Sequence, residues 1–389
     1  MRLVYLVHDL DDPAVARRLV MLRHWLDTAL VIGFHRGPTA PAQVAGWPTH
    51  AIGRTADGRL GRRAASVLGV RARLGRLAGL FDGVDVVMAR QLEMLALAVP
   101  LRRRFAAGAM LAYECLDVHR LMVAPGLAGR LLRGIEGRLL RRTDLVIVSA
   151  LPFVTAYLAP VHQDRLPPFC LIENKVLDVE TAAQLPPGPR PAGPPWRIGW
   201  FGVLRCRRSL DLLAALAAAL AGQVEVELRG RPAYAAIPDF DALVAAAPGL
   251  SFLGPYDRRR DLARIYGGVH FSWAIDFYED GANSAWLLPN RIYEGGRHGA
   301  VPIARAAVET GRFLDALGVG VLLGFTAAED LQRFFSALTP EGYAEAAARL
   351  AGVPHAAWVE DGQDGTRLAG LLGAPGAVGT NRGATITNA

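Results

Sequence analysis

Several things are scarce in this sequence, and each scarcity excludes something. There are three cysteines in 389 residues, Cys115, Cys170 and Cys206, far apart and with no C-x-x-C spacing. This excludes a disulfide framework and a cysteine-based zinc site and fits a reducing compartment. No apolar run reaches the roughly 18–20 residues of a transmembrane helix. The longest Ala/Leu tract, Leu210 to Gly222, reads as a buried helix. The opening MRLVYLVHDLDD turns acidic before a signal-peptide apolar region can form, so a cytoplasmic protein is expected. The first strand runs into HDLDDP, not G-x-G-x-x-G, which argues against a dinucleotide oxidoreductase. The basic stretch Arg54 to Arg76 has no Phe, Tyr or Trp, so it lacks the stacking side chains of a nucleic-acid binder.

What is present describes a globular protein. Hydrophobic residues make up 52% and charged residues 20%, enough apolar surface for a core, and the length suits two ordinary domains. Charge is uneven. Residues 1–175 hold 24 Lys+Arg against 14 Asp+Glu, and the remainder holds 19 against 22. A strongly basic first half suggests an anionic partner there; arginine-rich codon bias is a simpler source of part of it. Arg54 to Arg76 interleaves arginines with Leu60, Val67, Leu68, Val70 and Leu74, a pattern read as one or two amphipathic helices. These could lay an apolar side into an anionic membrane surface, or their apolar residues could be core.

Strand and helix signals alternate along the chain. Strands are expected at Leu3–Val7, Ala29–Phe34, Val84–Ala89, Met110–Tyr113 and Leu145–Ser149, with helices at Ala14–Leu26, Gln91–Phe105, Gly129–Arg142 and Pro152–Leu158. Gln184 to Pro195, QLPPGPRPAGPP, is too rich in Pro and Gly for a regular element and reads as a linker. A second βα series starts at Trp196. Such alternation implies parallel sheets with helices on both faces and ligands at the carboxyl ends of strands.

The most informative stretch is Leu288 to Ala304, LPNRIYEGGRHGAVPIA. Asn290 is expected to cap a short helix to Arg297, and Val301–Ala304 to form a buried strand. A helix N-terminus after a tight loop suits an anion. Glu294 shares a face with Asn290, and a carboxylate there suits the vicinal hydroxyls of a ribose. As plain structure, the stretch is an ordinary helix and strand of an α/β core.

This stretch resembles the nucleotide-sugar signature of GT-B glycosyltransferases, in the class that includes sucrose synthase and family 4-like bacterial exopolysaccharide (succinoglycan-type) sugar transferases. The resemblance implies that Glu294 grips the nucleoside ribose, with Asn290 and Arg291 beside it. Where the class often has a second Glu eight positions earlier, this chain has Trp286. The resemblance also implies two Rossmann-like domains facing across a cleft. These are expected at 1–183 on the acceptor side and 196–373 on the nucleotide-sugar side, with the last helices crossing back to the N-domain, a linker at 184–195 and a disordered tail at 374–389.

Three further constellations complete the expected site. In WFGVLRCRRSLDLL, a strand ends at Gly202 and Ser209 can cap the following helix, so Arg205, Arg207 and Arg208 stand near a helix N-terminus suited to a diphosphate. In the family this is a Gly-rich turn and a basic residue, matched by Gly202 and Arg208, with Arg205 close. The loop AIDFYEDGANS places Asp276, Tyr278, Glu279, Asp280, Asn283 and Ser284 where sugar hydroxyls would lie. After an N-domain strand, YECLDVHR offers Asp117, then Glu114 and His119, as the base that an inverting transfer needs. His8 and Asp9 are weaker candidates. Each has a plain alternative: an exposed basic loop, a solvated connection, a helix cap.

The expected protein is a metal-independent hexosyltransferase without cofactor. It moves a sugar from a nucleotide diphosphate sugar to a lipid-linked or oligosaccharide acceptor in exopolysaccharide synthesis, peripherally on the anionic inner membrane and without nucleic acid. A GT-B-like sugar-nucleotide epimerase and a non-catalytic membrane- or anion-binding protein remain the alternatives.

Overall fold

In the computed structural model of the protein, the described residues are 1–55, 67–177, 190–324 and 327–373. They form two compact units. Unit 1 is Met1–Ile172 with the segment from Gly362 onward, and unit 2 is Glu173–Asp361.

Unit 1 is built on strands β1 (Arg2–Val7), β2 (Thr28–His35), β3 (Gln43–Val44), β4 (Trp47–Arg54), β5 (Val86–Arg90), β6 (Met110–Cys115), β7 (Leu145–Val148) and β8 (Phe169–Leu171). Their order is β3-β4-β2-β1-β5-β6-β7-β8, parallel throughout except where β3 pairs with β4. The central strands VVMAR and LVIV are buried at every position, as a parallel sheet covered on both faces requires. Its helices include α1 (Pro13–Leu22), α2 (Leu92–Phe105), the short α3 (Arg120–Val123) and α4 (Leu127–Leu140). Helix α1 begins where the Asp12 carboxylate accepts from Ala14 N and Pro13 takes the first turn.

A buried charge cluster ties these elements together. Glu114, near the end of β6, is wholly buried. Arg18 Nε of α1 lies 2.6 Å from one carboxylate oxygen, and Arg90 Nη1 of β5 lies 3.1 Å from the other. The Tyr5 hydroxyl of β1 also donates to it. Burial alone would raise the Glu114 pKa, but the two guanidiniums and the tyrosine outweigh it and hold the carboxyl below its ordinary value.

Unit 2 comprises β9 (Val176–Leu177), β10 (Trp196–Leu204), α5 (Arg207–Ala219), β11 (Val224–Pro232), α6 (Phe240–Ala246), β12 (Leu250–Phe252), α7 (Arg258–Gly267), β13 (Phe271–Trp273), α8 (Asn290–Arg297), β14 (Val301–Arg305), α9 (Glu309–Ala316), β15 (Val321–Leu323), α10 (Ala327–Ala337), α11 (Pro340–Ala351) and β16 (Val359–Glu360). The main sheet runs β12-β11-β10-β13-β14-β15, all parallel; β9 and β16 form a separate parallel pair. The last helix, α12 (Gln363–Leu371), belongs to unit 1. It packs so closely on α1 that a Cβ at Gly365 would lie 2.8 Å from the Met21 carbonyl oxygen.

One sequence expectation needs correction, and one alternative left open is decided for the described residues. The boundary falls before Glu173, ahead of the Pro-rich stretch. Glu173 already belongs to unit 2, because its carboxylate accepts from the Tyr293 hydroxyl of α8 at 3.1 Å and β9 pairs with β16. Within that stretch, Arg190 donates to the carbonyls of Tyr266, Gly267, His298 and Gly299. In the basic stretch Arg54 to Arg76, the described apolar residues Val67 and Leu74 are buried, as is Leu77 just beyond, so they are core; only Leu68 is strongly exposed. Residues 56–66 of that stretch, 184–189 of the expected linker and the expected tail 374–389 lie outside the described residues. Among the described residues, no helix is long and apolar enough to cross a membrane.

Replacing Glu114 by Ala leaves two guanidiniums buried without their carboxylate. Scanning calorimetry is expected to show unit 1 destabilised by about 3–5 kcal/mol. Because the folded-state pKa is depressed, the Glu114 contribution is present above pH 4.5 and lost as pH falls below it. Glu114→Gln should therefore show a shallower loss of stability on acidification than wild type. An unchanged melting profile in both variants would contradict the role assigned to this cluster.

Candidate functional site

The carboxyl ends of the neighbouring strands β10 and β13 bring two of the expected loops together. Strand β10 ends beyond Gly202, whose φ of +119° is a backbone conformation that favours glycine. Gly230 stands opposite in the β10–β11 register. A Cβ on Gly230 would fall 1.9 Å from the Gly202 carbonyl oxygen, whereas a Cβ on Gly202 would meet nothing within 4 Å. The backbone at Gly202 is thus held from one side and open on the other.

Helix α5 starts two residues after β10. The expected capping residue was Ser209; the N-cap is Cys206, whose sulfur accepts from Ser209 N at 3.4 Å and from Phe277 N at 3.4 Å. Ser209 is buried and its hydroxyl instead donates to the Ile275 carbonyl at 3.4 Å. A thiol is a weak acceptor, so the first-turn amides of α5 keep donor capacity.

The three arginines of this loop have different fates. Arg205 lies 3.5 Å from the Asp276 carboxylate and its guanidinium sits 4.6 Å from the Tyr278 ring centre. Arg207 is paired with Asp211 at 2.8 Å and Asp239 at 3.1 Å. Arg208 is exposed, stacks 4.2 Å over the Phe277 ring and makes no ion pair among the described residues. It is a cation at the α5 N-terminus held by a ring and without a countercharge among the described residues.

The 276–284 loop is internally bonded. Asp276 accepts from Tyr278 N at 2.9 Å, and Glu279 N donates to Ser284 Oγ at 2.9 Å. The Asn283 side-chain amide donates to the Glu279 carboxylate. Asp280 is held 2.7 Å from Arg305 at the end of β14, and Arg305 also lies 4.8 Å from the Phe277 ring centre. Asn283 and Ser284 are buried, while Tyr278 is half-exposed.

Helix α8 differs from the expected capping: Asn290 is its first helical residue, exposed, and Pro289 is the N-cap with no side-chain bond. Proline's fixed φ starts the helix in place of a side-chain acceptor, so the first amides of α8 are left uncapped. Arg291 is half-buried and makes no ion pair among the described residues. Glu294 is buried at 3% exposure. Its carboxylate accepts from Arg258 Nε at 2.7 Å and from the Tyr266 hydroxyl at 2.8 Å, both on α7. The Tyr266 ring packs 4.9 Å from the Phe201 ring centre, and Phe201 immediately precedes Gly202. The phenol of Tyr266 is held well above its ordinary pKa, by burial first and Glu294 second, so it stays a donor. Each Glu294 oxygen thus has one protein donor and lone pairs to spare. Behind the carboxylate, burial pushes His298 down to about 4, keeping it neutral.

In unit 1 the three candidate bases separate. Glu114 is consumed by the buried cluster, so it is corrected to a structural carboxylate. His119 caps α3, its Nδ1 accepting from Leu121 N at 3.1 Å, which leaves the proton on Nε2 in the neutral ring and no free lone pair. Asp117 is exposed on the loop after β6. His8 lies 3.9 Å from Asp12, and Asp9 is bonded to Arg36 at 2.8 Å. Among the described residues no group of three His, Cys, Asp or Glu is placed to hold a metal ion.

The sequence is 44% identical over 368 residues to the succinoglycan biosynthesis protein ExoL of Rhizobium meliloti (strain 1021), a match covering 94% of this chain and 91% of that protein. The chain belongs to the ExoL family. No protein-family model matches it. Its fold is that of GT-B glycosyltransferases. It is similar to Anabaena HepE, solved in complex with UDP-glucose, with a TM-score of 0.68 at 16% identity over 96% of this chain and 99% of that one. It is also similar to WaaG, a glycosyltransferase involved in lipopolysaccharide biosynthesis, with a TM-score of 0.61 at 13% identity over 92% and 97% of the two chains.

Within this ExoL-family chain, sequence reasoning missed Arg258 and Tyr266, which orient Glu294, and Phe277, which positions Arg208. The run Arg258-Arg259-Arg260 was a visible signal, but nothing local tied it to a carboxylate 36 residues on. Because Glu294→Ala would strip Arg258 and Tyr266 of their acceptor, Glu294→Gln is the cleaner variant. It should fold and bind a nucleoside diphosphate with a Kd raised roughly ten- to hundredfold by calorimetry, the loss of a charge-assisted bond. Equal affinity in wild type and variant would remove Glu294 from the nucleotide site.

Proposed function

We propose that this protein is a hexosyltransferase of exopolysaccharide synthesis that takes its sugar from a nucleoside diphosphate sugar and passes it to a lipid-linked or oligosaccharide acceptor. One observation carries the reading. An open glycine turn, a helix start capped only by a thiol and carrying an arginine with no ion pair among the described residues, and a buried carboxylate with spare lone pairs stand together in unit 2, Phe201 and Tyr266 linking the turn to the carboxylate. Family membership and the UDP-glucose complex of HepE support it.

In this reading the donor diphosphate meets the α5 amides and Arg208, which offset the charge that develops on the leaving group. Arg205 is steadied by Asp276 and Tyr278 beside it. The ribose hydroxyls donate to the outer lone pairs of Glu294, or enter as Arg258 swings aside. Asn290 and Arg291, at the start of α8, border that contact. Tyr278, Glu279, Asp280, Asn283 and Ser284 form the wall against which the sugar lies. Asp117 takes the acceptor proton if the transfer inverts the anomeric centre. The acceptor stands at the anionic inner membrane surface. An epimerase would need no acceptor, and membership in a family of succinoglycan biosynthesis favours transfer.

A panel of nucleotide sugars screened by thermal shift identifies the donor; transfer is then followed with labelled donor and membrane-extracted acceptor. Arg208→Ala should cut turnover about a hundredfold, beyond its effect on donor binding. Asp117→Asn should cut it by a similar factor with donor affinity unchanged. Wild-type rates in both variants would sink these assignments, and a protein that binds no nucleotide sugar would sink the function.

A further inference from the structure

Helix α4 is amphipathic the wrong way round for a helix that only has to fold. Leu127, Leu131 and Ile135, one turn apart on a single face, are 76%, 63% and 37% exposed. Val123 at the end of α3 is 40% exposed. The opposite face carries a carboxylate inward. Glu136 is 2% exposed, with the Tyr157 hydroxyl 2.5 Å from one oxygen and His162 Nε2 2.7 Å from the same oxygen. The sequence would satisfy the fold more simply with leucines inside and the glutamate out.

The hairpin is also held rigidly in this orientation. Arg133 donates to the carbonyls of Met122 at 2.6 Å and Ala124 at 2.9 Å. Gly129 lies so close to α3 that a Cβ there would be 2.3 Å from the Ala124 carbonyl oxygen. The apolar row is thus presented outward by design of the packing, not by fraying.

The charge around the row is of one sign. Between Val118 and Thr143 there are six arginines and one carboxylate, the buried Glu136. Arg120, Arg130, Arg138, Arg141 and Arg142 are exposed, and none makes an ion pair among the described residues. Long arginine side chains beside a leucine row can reach up to phosphate while the leucines enter the headgroup boundary. The segment has no Phe, Tyr or Trp for stacking on bases. Two copies meeting face to face would set arginine against arginine.

We propose that the outward face of α4 docks unit 1 on an anionic lipid bilayer. The loop bearing Asp117 leads straight into α3 and α4, so docking sets that loop at the lipid surface. This purpose rests on the transferase reading; the docking itself does not.

The test is flotation of the full chain with phosphatidylcholine vesicles, with and without phosphatidylglycerol, at low and high salt. The variants are Leu127→Ser/Leu131→Ser/Ile135→Ser and Arg130→Ser/Arg138→Ser/Arg141→Ser. Wild type should partition onto anionic vesicles, less at high salt, and each triple variant should lose at least about tenfold in partitioning. All these side chains except the partly covered Ile135 are exposed, so melting temperature and nucleotide-sugar affinity in solution should not change. Equal binding to neutral and anionic vesicles, no binding, or undiminished binding by the leucine variant would overturn the proposal. So would a wild-type dimer that the leucine variant dissociates, since the face would then belong to a protein partner. Vesicle binding without nucleotide-sugar binding would instead strike the transferase reading and leave the docking in place.

Discussion

The ion pair between Glu294 and Arg258, completed by the Tyr266 hydroxyl, is the constraint on which unit 2 depends. A carboxylate this deeply buried is stable only when its lone pairs are met. Meeting them fixes α7 against α8, and through the Tyr266 ring it fixes both against Phe201 and the end of β10. The same two donors leave the carboxylate with acceptor capacity remaining. A group that holds α7 against α8 therefore also keeps the acceptor capacity that the proposed ribose contact uses.

The two units use arginine in opposite ways. In unit 1, Arg18 and Arg90 are buried and spent on Glu114, where they set α1, β5 and β6 in register. In unit 2, the loop after β10 spends Arg205 on Asp276 and Arg207 on two aspartates, and leaves Arg208 held in place by a ring and not by a countercharge. A cation positioned by an aromatic face keeps its charge available. Around α4, five exposed arginines make no ion pair among the described residues and stand beside exposed leucines. Counting basic residues would treat these three settings alike; what separates them is the presence or absence of a carboxylate within reach.

Much of the fold was legible because it is written locally. Runs such as VVMAR and LVIV, alternating with helical periods, suffice for parallel sheets, and the stretch from Leu288 to Ala304 announces its helix and strand. The edge ribbon β3–β4 was not legible: WPTHAIGR contains Pro48 and mostly exposed positions, so it has neither an apolar run nor a clean alternation. The boundary before Glu173 was hidden because Pro and Gly density marks where chain cannot form regular structure, whereas the boundary is set by Tyr293, 120 residues away. Glu114 passed for a candidate base since its partners lie 96 and 24 residues distant. The site was legible as a set of loops; which arginine is uncommitted, and which residues orient Glu294, depend on contacts that no local pattern encodes. The apolar period of α4 would by itself be read as facing inward; the exposure of Leu127 and Leu131 and the burial of Glu136 show that it faces out.

In the proposed function, Glu294 receives the ribose while the α5 N-terminus and Arg208 receive the diphosphate. A crystal structure of the protein with UDP tests it most directly. Ribose hydroxyls are expected within hydrogen-bond distance of the Glu294 carboxylate, and phosphate oxygens on the first amides of α5 and on Arg208. A nucleotide bound elsewhere, or bound here with its ribose turned away from Glu294, would contradict it.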